Sequence, residues 1–176
     1  DQRNIHEFKD LEEKIKETSI DLVFNCAGVF GGSFEDQQIE KLDFKKFQEV
    51  LMVNSFSILK IMQIILDDKS STKNLEVLIN ISSDAGSIKL NNQGNAYIYR
   101  ASKTALNAFT IHLALELKDT NIKVNSGHPG WVKTDLGGPN APMDVKDSFK
   151  TSLRLATLES DGPSGGLFHE NDIIPW

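Results

Sequence analysis

The stretch "DLVFNCAG", residues 21–28, is a short apolar run that closes on small residues. Its length and its lack of polar alternation read as a strand buried on both faces. Two further stretches have the same form. "LEVLINISS", residues 75–83, ends in two serines, and "IKVNSGHPG", residues 122–130, is stopped by Pro129 and Gly130. Helical periodicity fills the intervals. Residues 4–18 place Ile5, Phe8, Leu11 and Ile15 three and four apart, one face of an amphipathic helix. Residues 45–66 carry Phe47, Val50, Leu51, Phe56, Leu59 and Ile65 on a helical pattern. Residues 96–117 are Ala- and Leu-rich, and residues 145–158 read as a last helix. "GLFHENDIIPW", residues 166–176, reads as a final strand with a turn at 170–172.

This alternation predicts parallel strands with both faces covered by helices. Right-handed crossovers then give a doubly wound α/β sandwich, whose ligand crevice lies beyond the carboxyl ends of the strands. Those ends carry "NCAG", "ISSDAG" and "HPGWVKTD", which are small or polar.

The totals narrow the possibilities. A chain of 176 residues fits one domain over residues 1–176 and buries a real core. The net charge of -6 argues against a nucleic-acid partner, because phosphate contacts need clustered Lys and Arg. No apolar run in the sequence approaches the ~18 residues of a membrane span, and "DQRNIHEFKD" is too polar for a signal peptide. Cys26 is the single cysteine, so no internal disulfide forms, and a reducing, cytoplasmic setting is the simplest expectation.

Several residues at the strand ends carry chemistry. Tyr99 and Lys103, in "YRASKTALNAF", sit four apart on one helical face. An ammonium near a phenol stabilises phenolate, and a phenol so tuned exchanges protons with a substrate oxygen near neutral pH. The pair alone is unspecific. Ser82 and Ser83 either polarise a carbonyl or satisfy backbone groups at the strand end. Asn54, in the apolar helix segment "LMVNSFSIL", needs a buried partner; a hydrogen bond that locks two elements would suffice. Asn25, Ala27 and Gly28 allow either close approach to a flat ligand or a tight turn. His128 has no Cys, Asp or His at metal-ligand spacing, so no metal site is expected.

In their order these pieces resemble the short-chain dehydrogenase/reductase family. "NCAG" stands for its N-N-A-G, Asn54 for its helix asparagine, "YRASK" for Y-x-x-x-K and "PGWVKT" for P-G-x-V-x-T. "GSI" after the serines, "HPGWVKTDLGGPNAP" and the ending "IIPW" are similar to the C-factor and sniffer-type carbonyl reductases. The resemblance runs from about residue 19 to the last residue. It implies an NAD(P)-binding Rossmann-type fold and hydride transfer between NADP or NAD and a small carbonyl or alcohol, with the subgroup favouring NADP. It implies Tyr99 as general acid, Lys103 as its tuner and ribose ligand, and Ser83 (or Ser82, one register away) on the carbonyl oxygen. Asn54 would hold a relay water. Asn25, Ala27 and Gly28 would lie along the adenosine side, and Pro129, Gly130, Val132 and Thr134 at the nicotinamide end. A homodimer through the helices of about residues 45–66 and 97–117 is also implied.

One family element is missing. The family opens on a strand, T-G-x-x-x-G-x-G and a helix that receives the pyrophosphate. The first glycine in this sequence is Gly28. The chain begins roughly where the third family strand ends, with Asp1 as the residue that would touch adenine. The expectation is an N-terminally truncated three-layer α/β/α sandwich with an exposed "DLVFNCAG" edge, weak dinucleotide binding and doubtful activity of this chain alone. The alternative is a non-catalytic interaction module or a C-factor-like signalling protein.

Overall fold

The computed structural model describes residues 2–3, 8–16, 18–68 and 72–176. Ile5 and Asp1 lie outside the described residues. Four parallel strands run in chain order: β1 (Leu22–Asn25), β2 (Val77–Ile81), β3 (Lys123–Gly127) and β4 (Leu167–His169). The final segment is a hairpin. Glu170 takes a positive φ of 48°, and β5 (Asp172–Ile174) returns antiparallel on β4. The last strand of the sequence reading is therefore two, and the second ends the parallel pattern.

Helices cover both faces. α1 (Lys9–Lys16), α2 (Phe44–Leu51), α3 (Ser57–Asp67), α4 (Tyr97–Glu116) and α5 (Lys150–Ala156) are shorter than the periodicities drawn for them. One face buries Val23, Leu78 and Val124 from the strands against Ile15, Met62, Ile65 and Leu113. The opposite face buries Val77 and Ile79 against Leu155 and Phe168. Alternate residues of each strand thus go to different layers, as the pleat requires. The result is the expected α/β/α sandwich.

The run over 45–66 is not one regular helix. Asp43 caps α2 by accepting from Lys45 N at 2.9 Å and Lys46 N at 3.2 Å. A π turn at Met52–Phe56 then joins α2 to α3, with Ser57 N bonded to Met52 O. The Ser57 hydroxyl donates to the Val53 carbonyl at 2.9 Å. Such turns commonly re-aim a side chain at a functional site; here the side chain is Asn54. The continuous helix Phe44–Asp67 is long and apolar enough to cross a membrane, but half of that window is buried inside the fold. It is read as a core helix.

Among the described residues β1 has one neighbour in the sheet, β2. Leu22 and Phe24 stand in register with Val77 and Ile79, so they share the α5 face, yet they are 43% and 36% exposed. An apolar, unpaired strand edge is a template for another chain. These 176 residues should therefore self-associate with rising concentration in light scattering. Phe24→Lys should reduce that association; an unchanged scattering curve would remove β1 as its cause.

Candidate active site

α4 brings the key side chains to the carboxyl end of the sheet. Its first turn is anchored from outside. Ala96 precedes it at φ 53°, and Gln37, fully buried, accepts from Tyr99 N through Oε1 at 2.9 Å. Gln37 Nε2 donates to Phe30 O at 2.8 Å, and the Phe30 ring lies 5.0 Å from the Tyr99 ring. Gln37 answers an orphan helix N–H, so it fixes Tyr99 in space. Nothing in "GGSFEDQQIE" marks it in advance, because its role depends on where the loop packs.

Ser82 donates to Asn107 Oδ1 at 2.6 Å. Ser83 is the serine that acts on the Tyr99 phenol.

The phenol is pushed up to about 12. Burial is the largest cause and the Asp84 charge adds to it, while Ser83 pulls the other way. This corrects the expectation that Lys103 holds Tyr99 below its ordinary value. Lys103 Nζ lies 5.8 Å from the ring centroid and donates instead to Ile81 O at 2.8 Å. Burial takes the Lys103 ammonium down to about 8, partly offset by Cys26. Burial likewise raises the Cys26 thiol, and Lys103 opposes that. The two groups therefore feel one another's charge.

Asn54 takes the locking role. Its Oδ1 accepts from Val29 N at 2.8 Å, and its Nδ2 donates to Val29 O at 2.9 Å and to Ser102 Oγ at 2.9 Å. The side chain pins the strand-end loop to α4. Asn25 is tied into the sheet by its side chain. Its amide donates to Asn80 Oδ1 at 2.8 Å, Asn80 donates to Thr110 Oγ1 at 2.9 Å, and Thr110 meets Ser126 Oγ at 2.8 Å. This polar ladder crosses β1, β2 and β3 beneath α4.

Small residues leave the space a ligand would use. A Cβ on Gly28 would sit 3.5 Å from Lys103 Nζ and 3.7 Å from Asn54 Oδ1. Ala27 and Gly28 border a hollow of about 460 Å³ with Val29, Glu49, Val53 and Arg3. A hollow of about 480 Å³ between α1 and α3, lined by Glu12, Lys16, Lys60 and Asp67, holds none of these residues. Beyond β3, Pro129 leads to Gly130 at φ 90°, where a Cβ would lie 2.7 Å from Met143 Cε. Val132 bridges Met143, and Thr134 Oγ1 accepts from Gly137 N at 3.1 Å. That loop is therefore a rigid wall.

The ammonium of Lys103 has three donors and gives one to Ile81 O. Two remain for hydroxyls, which fits a ribose diol approaching over Gly28. The donor set therefore suits the nicotinamide half of a dinucleotide.

The comparisons agree with this geometry. Residues 1–144 match the family model for short chain dehydrogenase. The chain is 29% identical to the C-signal protein of Myxococcus xanthus over 158 residues, covering 89% of this chain and 93% of that one. It superposes on the carbonyl reductase Sniffer of D. melanogaster with TM-score 0.87 and 29% identity, covering 100% of this chain and 76% of that one. An NADPH-bound carbonyl reductase from chicken fatty liver gives TM-score 0.84 at 28% identity, with 100% and 75% covered. The match over residues 1–144 places the chain in the short chain dehydrogenase family of NAD(P)-dependent oxidoreductases.

Proposed function

We propose that the chain carries the reaction centre of an NADP(H)-dependent carbonyl reductase acting on small carbonyl compounds. The observation that carries this reading is the Ser83–Tyr99 contact beside the buried Lys103. Bound cofactor supplies the hydride. Tyr99 gives its phenolic proton to the carbonyl oxygen, and Ser83 orients that oxygen by its hydroxyl. Lys103 holds the ribose, and Asn54 keeps the loop over Gly28 in place. Pro129, Gly130, Val132 and Thr134 form the wall against which the nicotinamide would lie. Ala27 and Gly28 leave room on the other side. The retained acid, serine and lysine favour an enzyme over a non-catalytic module.

NADP is favoured over NAD by the NADPH-bound neighbour. A homodimer through α3 and α4 is supported by Phe56, 45% exposed, whose ring pairs with Phe109 at 6.2 Å.

The test is calorimetric titration with NADPH and NADH, followed by NADPH oxidation with a simple aldehyde. NADPH should bind more tightly than NADH. No heat and no oxidation at millimolar NADPH would defeat the reading.

A further inference from the structure

The hydroxyl of Ser83 has more partners than its role on a carbonyl oxygen requires. It donates to Asp84 Oδ1 at 3.0 Å and accepts from Ala85 N at 3.1 Å. Together these two bonds fix the rotation of the Ser83 side chain, which acts on the Tyr99 phenol.

Asp84 has a second neighbour. Its Oδ1 lies 3.7 Å from His128 Nε2, at the carboxyl end of β3. His128 Nδ1 is buried without a hydrogen-bond partner, and its ring sits 5.0 Å from that of His169. His169 Nδ1 bonds the His128 carbonyl at 3.0 Å. A line of groups therefore runs from Tyr99 through Ser83 and Asp84 to His128.

We propose that Asp84 is a positioning residue of this site. It fixes the Ser83 hydroxyl next to Tyr99, and its charge links that pair to His128. Its carboxylate is 56% exposed, so its charge also stands at the mouth of the site. Beside the hydroxyl that would meet a carbonyl oxygen, that charge selects neutral or cationic carbonyl compounds over anionic ones. This last consequence rests on the proposed function; the positioning role does not.

Electrostatics agree with the geometry. The Asp84 charge raises both Tyr99 and His128, after burial has raised the first and lowered the second. The other titratable groups around the line are Lys103 on α4, Cys26 beyond β1 and His169 on β4. Of these, His169 lowers His128.

The experiment is an NMR titration of tyrosine Cζ and histidine ring carbons in the full chain. Only two tyrosines are present, and Tyr97 is 43% exposed, so its signal separates from that of Tyr99. Asp84→Asn should lower the Tyr99 and His128 midpoints together, each by about one pH unit. Asp84→Glu, which keeps the charge, should leave both close to the parent. The His128 arm is read where the fold is intact, and Asp84→Ser serves if the Asn variant misfolds. Unchanged midpoints in the charge-removing variants would overturn the proposal. A second arm compares benzaldehyde with 4-carboxybenzaldehyde. Asp84→Asn should narrow the parent's preference for the neutral aldehyde by about tenfold in kcat/KM. An unaltered preference would overturn the selectivity, whereas absent turnover in the parent would count against the proposed function alone.

Discussion

Tyr99→Phe should reduce NADPH-dependent carbonyl reduction by about 10²–10⁴-fold, the usual contribution of a positioned general acid. Rates are read at millimolar NADPH so that weak cofactor binding does not hide the effect. The fold should survive. The phenylalanine ring keeps the 5.0 Å contact with Phe30, and the helix start is held through the Tyr99 backbone by Gln37. What is removed is one hydroxyl facing Ser83. The variant should also behave differently at high pH. The phenol is raised from 10.0 to about 12, so its stabilising contribution is complete below pH 10 and disappears as pH rises through about 12. Tyr99→Phe should abolish that part of the alkaline stability loss. Near-parental turnover in the variant would remove Tyr99 as the acid.

The raised phenol says something about the reaction. A tyrosine that clings to its proton is a weak acid toward a carbonyl oxygen in the cofactor-free protein. Sequence reasoning expected the opposite, because a lysine one helical turn away stabilises phenolate. The spacing was legible, but the burial that outweighs it is a tertiary property. The same division holds elsewhere. β1, β2 and β3 were legible because strands buried on both faces are apolar runs, and their ends mark the site. The trio Ser83, Tyr99 and Lys103 was legible as an ordered set on alternating elements. Asn54 was legible as a residue that needs partners, but the π turn that aims it at Val29 was not. Gln37 and Asp84 carried no signal, since each acts on atoms that only the fold brings near. The reversal at Glu170 was visible as a turn, but its antiparallel outcome follows from packing on β4.

Lys103→Met should stabilise the fold while destroying the cofactor site. Lys103 is 3% exposed, and its ammonium is depressed from 10.5 to about 8 by burial. A depressed amine means that the folded state binds its proton less tightly than the unfolded one. The stability this confers is present above pH 10.5 and is lost as pH falls through about 8. At pH 7 the charge is buried at a cost of about 3 kcal/mol, from that depression at about 1.4 kcal/mol per pH unit. Methionine has nearly the same length and no charge to desolvate. It forfeits the charge-assisted bond to Ile81 O, worth about 1.5–3 kcal/mol. The net change is roughly 0–1.5 kcal/mol in favour of the variant, or a Tm rise of up to about 6 °C for a chain of this size. The decline in stability between pH 10.5 and 8 should flatten as well. Calorimetric titration of the same variant should show no NADPH binding, because the two free ammonium donors are gone. A variant less stable than the parent at pH 7, or one that still takes NADPH, would show that Lys103 is a structural cation rather than a costly residue kept for its ligand.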